Sequence, residues 1–123
     1  MSVKILKKEL FKYNKTAVLT MCMRYASMLS GGQQWSIPRE QYNFLYDEYK
    51  VRNEGFASPL NSKLMGKPGA SFCSMFLDTD SLFGSIGDFF NANMLAEPNN
   101  SWAINPPFVE DILLRSAQKC LAA

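Results

Sequence analysis

The residues whose types and spacing carry the most chemistry are Asn105, Pro106, Pro107 and Phe108, which close the stretch Ser101-Trp102-Ala103-Ile104-Asn105-Pro106-Pro107-Phe108. Together they offer hydrogen-bond acceptors, a backbone that cannot flex and a ring that can stack. Pro106 and Pro107 lack an amide hydrogen and have their own φ fixed, so a strand through Trp102, Ala103 and Ile104 must stop at Asn105. The Asn105 side-chain amide and the Pro106 carbonyl are then held in set directions, with the Phe108 ring beside them. A plainer use exists for the same residues: Asn is a good helix N-cap, and proline suits a first helical turn. The spacing predicts a helix from Val109 to Leu121, with Glu110 and Asp111 early and Arg115 and Lys119 late, matching the helix dipole.

The elements upstream must position this corner. From Val3 to Leu29 the apolar residues Leu6, Leu10, Tyr13, Ala17, Met21, Tyr25 and Met28 recur every three or four positions, one buried face of a helix. Asn14 and Thr16 could split that run in two, and Gly31-Gly32 end it. Pro38 opens another helix, with Tyr42, Leu45, Tyr46 and Tyr49 on one side; tyrosines at this spacing read as core and rim. A short strand candidate then lies within Val51 to Asn61 and is stopped by Pro59. Small residues at Ala57 and Ser58 let a ligand approach the backbone, and the loop after a first parallel strand is where α/β sheets bind nucleotide-like cofactors. An ordinary strand-to-turn transition explains those residues equally well. Phe72, Cys73, Met75 and Phe76 supply further core after the Gly66-Lys67-Pro68-Gly69 interruption. Asp78-Thr79-Asp80 stands near a Gly84-Ser85 turn, either to accept hydrogen bonds from ribose hydroxyls or a cofactor ammonium, or to cap a short helix. Pro98-Asn99-Asn100 turns the chain into the strand that feeds Asn105.

Composition bounds what these elements can be. A chain of 123 residues, 47% hydrophobic and 20% charged, is one small globular domain with a core. A net charge of +2 is too small to argue nucleic-acid binding from bulk electrostatics, although Lys4, Lys7, Lys8, Lys12 and Lys15 make the start locally basic. Those lysines read most simply as a solvated helix face. Cys22, Cys73 and Cys120 are odd in number and far apart, which indicates neither a disulfide framework nor a zinc knuckle but reduced, partly buried thiols. Without a histidine, the chain has no Ser-His-Asp triad, no Cys-His dyad and no histidine-ligated metal. Lys7, Lys8 and Glu9 stand where a signal peptide needs its apolar centre, and no apolar run reaches the roughly 18 residues of a membrane span. The expected setting is aqueous and reducing, with no membrane and no metal.

Asparagine, two prolines and an aromatic resemble the signature of enzymes that methylate exocyclic amino groups of bases with S-adenosylmethionine. An adenine N6 is a poor nucleophile because its lone pair is delocalised into the ring. Acceptors such as Asn105 Oδ1 and the Pro106 carbonyl return density to nitrogen by binding both N6 hydrogens, while Phe108 stacks on the base. The whole pattern is similar, in order, to the cap-specific adenosine-N6 methyltransferase family, also called the phosphorylated CTD-interacting factor family. The likeness runs from about Tyr25 to the C-terminus, through Glu54-Gly55-Phe56-Ala57-Ser58-Pro59-Leu60-Asn61, Asp78-Thr79-Asp80 with Phe83-Gly84-Ser85, and Asn105-Pro106-Pro107-Phe108.

The resemblance implies an α/β fold: a partial Rossmann-like methyltransferase core preceded by two or three helices and ending after the catalytic-loop strand and its helix. Residues 1–50 are the expected helical segment packed on that core, and 51–123 the first part of the core. It further implies that Phe56, Ser58, Pro59 and Asn61, with Asp78 and Asp80, line the S-adenosyl-L-methionine pocket, and that Asn105, Pro106, Pro107 and Phe108 hold the target adenine. The implied substrate is capped mRNA beginning with adenosine, met in the nucleus if the source is cellular and in the cytoplasm if viral. Two departures stand out: Gly66 to Ala70 reads as an insertion, and Leu77 occupies the family's usual proline position before Asp-Thr-Asp. Family catalytic domains continue past this loop and carry an N-terminal region that can include a WW module. The expectation is therefore a fragment with little methyl transfer alone, or one completed by a second polypeptide. The competing expectations are a non-catalytic RNA- or partner-binding remnant of such an enzyme and a small helical interaction domain.

Overall fold

The computed structural model describes residues 15–28, 37–96 and 100–123. The expected helical run through Leu6, Leu10 and Tyr13, its ending at Gly31-Gly32 and the turn at Pro98-Asn99 lie outside those residues. Helix α1 spans Lys15–Met28 and helix α2 spans Arg39–Tyr49. Pro38 precedes α2 as expected, and its carbonyl accepts from Gln41 N and Tyr42 N, 3.1 and 3.3 Å away. The helix closes on Lys50 in the left-handed region, at φ 58 and ψ 31.

Three two-residue strands follow: β1 Asn53–Glu54, β2 Ser71–Phe72 and β3 Trp102–Ala103. Both pairings are parallel, in the order β2-β1-β3, with Asn53 opposite Ser71 and Trp102, and Glu54 opposite Phe72 and Ala103. Between β2 and β3 lie the one-turn helix α3, Leu77–Asp80, and two 3-10 turns, Ser81–Phe83 and Phe89–Asn91. Helix α4, Glu110–Ala122, ends the chain with Glu110 and Asp111 in its first turn and Lys119 in its last. The described residues are thus a mixed α/β arrangement of four helices and a small parallel sheet.

Burial explains why these elements hold together. Met21 and Tyr25 from α1 pack against Phe72 and Phe83, with Ala57, Leu60, Met65 and Phe76 around them. Tyr42 from α2 packs with Val51 and Leu64, flanked by Leu45, Tyr46 and Ala103. Removing one such side chain, Phe72 for instance, costs about 3 to 5 kcal/mol by lost transfer energy and the cavity left behind. Of the tyrosines read as core and rim, Tyr42 is core, while Tyr49 lies at the exposed end of α2, ring to ring with Phe44. Two expectations are corrected. Met75, expected in the core, is exposed, because the chain turns outward there before α3. Cys120, expected partly buried, is exposed on α4, whereas Cys22 is half-buried and Cys73 buried.

Candidate active site

The strand reading of the stretch before Asn105 holds: Trp102 and Ala103 pair with β1, and the ladder ends before the prolines. The rival use of Asn105 as the helix N-cap does not: the cap of α4 is Val109, with no side-chain bond. Val109 N instead donates to the Pro107 carbonyl at 2.8 Å, which ties the helix start to the corner. Asn105, Pro106 and Pro107 are half-buried, and Phe108 is 59% exposed.

The loop after β1 is built differently. Gly55 N donates to Ala103 O at 2.9 Å and Ala57 N to Cys73 O at 3.0 Å, so pairing to both neighbours outlasts the regular strand. At Ser58 the chain leaves the sheet. Ser58 N donates to Asn61 Oδ1 at 2.8 Å, Ser58 Oγ accepts from Leu60 N at 3.2 Å, and the Ser58 carbonyl accepts from Asn61 N and Ser62 N. Ser58 and Pro59 are buried, Phe56 is half-buried and Asn61 is exposed. The Phe56 ring lies 4.9 Å from Phe89 and 5.9 Å from Phe90.

Beneath this loop sits a residue that sequence reasoning gave no role. Glu54 on β1 is 3% exposed, and its carboxylate accepts from Ser62 Oγ, from Lys63 N at 3.0 Å and from Leu64 N at 3.1 Å. A buried carboxylate needs such partners, and here they fasten the far end of the loop to the central strand. Burial and the nearby Glu54 charge push the Tyr42 phenol up to about 12. The available signal was a lone carboxylate within a strand candidate.

Asp78 and Asp80 are both engaged by α1. Asp78 pairs with Arg24 at 2.7 Å, and this bond holds its carboxyl below the usual range; the carboxylate remains 66% exposed. Asp80 is fully buried and accepts from the Tyr25 hydroxyl, and burial together with that bond pushes the Tyr25 phenol up. Neither acid serves as the expected side-chain cap: α3 and the Ser81–Phe83 turn have none. Ser85 pairs with Ser74 at 2.6 Å and accepts from Gly87 N.

Topology collects these stretches. In a parallel sheet all strands point the same way, so the chains leaving β1, β2 and β3 emerge from one edge. Phe56 and Asn105 each lie two residues beyond the paired Glu54 and Ala103. A Cβ added at Gly55 would come within 3.1 Å of Phe89 and 3.5 Å of Ile104. The order β2-β1-β3 also means the chain moves to one side of β1 and then crosses to the other, which is the topological switch where open α/β sheets bind ligands. Among the described residues no group of three or more His, Cys, Asp or Glu could hold a metal, and no helix is long and apolar enough to cross a membrane.

Fold and loop placement therefore define a mixed α/β protein with the Phe56 loop and the Asn105 corner leaving the carboxyl edge of a small parallel sheet. The chain belongs to the family described as phosphorylated CTD interacting factor 1 WW domain, whose model matches residues 3–123. Although that description names a WW domain, the described residues form the parallel α/β arrangement above. The chain is similar to the mRNA (2'-O-methyladenosine-N(6)-)-methyltransferase of Homo sapiens, 37% identical over 82 residues, which is 67% of this chain and 10% of that protein. The Mus musculus enzyme of the same name matches equally, at 37% over 82 residues. The match spans about a tenth of the length of either relative.

Proposed function

We propose that this chain carries the first part of a Rossmann-like, S-adenosylmethionine-dependent adenine N6-methyltransferase core acting on mRNA, with residues 1–50 as a helical segment packed against residues 51–123. The target is the adenosine beside the cap. The observation that carries this reading is the parallel register, in which the Phe56 loop and the Asn105 corner leave adjacent strands at one edge. The relatives' names supply the reaction.

Asn105 Oδ1 and the Pro106 carbonyl accept the two N6 hydrogens, Pro107 keeps the corner rigid, and the exposed Phe108 ring stacks on the base. Phe56, Ser58, Pro59 and Asn61 hold the cofactor, which supplies an electrophilic methyl group when bound. The residues fit a nucleoside-bearing group: a half-buried aromatic ring and a small serine loop. N6 releases its proton as the new bond forms, so the protein's task is alignment and the chain needs no strong base.

A second reading, a non-catalytic remnant that binds RNA or a partner, is favoured by one observation: Asp80 is sealed under Tyr25 and Asp78 is held by Arg24, so the acidic pair is already occupied. Binding to capped RNA that begins with adenosine or guanosine, measured for the parent and Asn105→Ala, tests the adenine corner. The expected result is an adenosine preference that Asn105→Ala erases, and no preference in the parent contradicts the adenine corner and leaves only a partner-binding remnant. Because little transfer is expected from this chain alone, methyl transfer that appears once a second polypeptide completes the core, and disappears in Asn105→Ala, separates the enzyme from the remnant.

A further inference from the structure

Phe89 occupies the centre of the aromatic cluster and is 1% exposed. Its ring lies 4.9 Å from Phe56, 5.5 Å from Phe90 and 5.9 Å from Trp102. It therefore touches the ring proposed to face the cofactor and the strand that delivers the base-holding corner. A Cβ at Gly55 would meet it at 3.1 Å, so the glycine leaves the Phe89 ring room to pack against the backbone just past β1.

What fixes Phe89 comes from α4. Lys119 Nζ donates to the Phe89 carbonyl and, at 2.7 Å, to the Ala92 carbonyl, and it stands 4.6 Å over the Phe89 ring. The Arg115 guanidinium covers the Phe90 ring at 4.1 Å, one turn earlier on the same helix. Asp88 Oδ1 secures the other end of the turn by accepting from Phe90 N at 3.1 Å. At its start, α4 is bonded to the corner through Val109 N and the Pro107 carbonyl. One rigid helix thus grips the adenine corner at its N-cap, Val109, and, roughly 15 Å further along at 1.5 Å per residue, the turn behind Phe56.

We propose that Lys119 is a positioning residue that, through Phe89, sets the Phe56 ring relative to Trp102 and so fixes the separation between the cofactor loop and the base corner. This rests on the cofactor reading above. Its part is to hold Phe89 in place by donating hydrogen bonds to two turn carbonyls, not to bind either ligand itself.

The test uses the full chain carrying Trp35→Phe, which leaves Trp102 as the one tryptophan. S-adenosylhomocysteine is titrated by calorimetry and by Trp102 fluorescence. The expected result is that Lys119→Met, which keeps an unbranched side chain, weakens binding about tenfold, as a displaced contact should. Lys119→Arg, able to donate to both carbonyls, restores it. The Trp102 signal should respond to ligand in the parent and fall silent in Phe89→Leu while calorimetry still records binding. If Lys119→Met does not fold, Phe89→Leu carries the same test. Equal affinity in the parent and a folded Lys119→Met, or a Trp102 response that persists in Phe89→Leu, overturns the inference while leaving the cofactor reading intact. A parent that binds no S-adenosylhomocysteine removes the cofactor reading and the inference together.

Discussion

The loop after β1 and the corner after β3 leave the same edge of the sheet, yet they are rigid for different reasons. The β1 loop is fastened by side chains: Asn61 closes on Ser58, and Glu54 reaches up to Ser62, Lys63 and Leu64. The β3 corner is fastened covalently by Pro106 and Pro107 and is more open, with Phe108 exposed. A hydrogen-bonded loop fails when one buried partner is deleted, because the others are left without water or protein to bond. A proline corner loses only local restriction.

Deletions on the two sides should differ accordingly. Glu54→Ala strands three donors and is expected to cost about 3 kcal/mol in urea unfolding, since each unsatisfied buried group costs about 1 to 3 kcal/mol. A loss near zero would mean that the loop is not held by this carboxylate. Asn61→Ala removes one bond to an exposed side chain and should cost about 1 kcal/mol. On the other side, Pro107→Ala should cost about 0.5 kcal/mol, arising mainly in the unfolded chain. A larger loss than for Asn61→Ala would reverse the contrast.

The smallest effect concerns Asp78, the exposed acid on α3. Its carboxyl is held below the usual range by the bond to Arg24, so the pair adds stability above the ordinary carboxylate pKa. That contribution disappears as pH falls through the lowered value. Because the carboxylate is exposed, Asp78→Asn should only slightly flatten the acid side of a thermal-melting profile against pH.

Legibility in the sequence followed the range of the interactions. Pro106 and Pro107 stop β3 by their own covalent structure, and the α4 helix shows in local spacing, so both were readable. The Pro38 start of α2 was readable for the same reason. Glu54 was harder, because its partners stand eight to ten positions along and beyond a turn. Tyr25 and Asp80 are 55 positions apart, and nothing local tells a ligand-facing acid from one sealed by a tyrosine. Lys119 resembled an ordinary dipole-matching lysine in a last helical turn, and only tertiary structure shows the carbonyls it caps.

The proposal that the Phe56 loop holds a cofactor and the Asn105 corner a base at one sheet edge is tested most directly by calorimetric titration of S-adenosylmethionine into the full chain, compared with Phe56→Ala and Asn105→Ala. Saturable binding that Phe56→Ala abolishes and Asn105→Ala leaves unchanged is the expected result. No binding, or binding indifferent to Phe56, would contradict it.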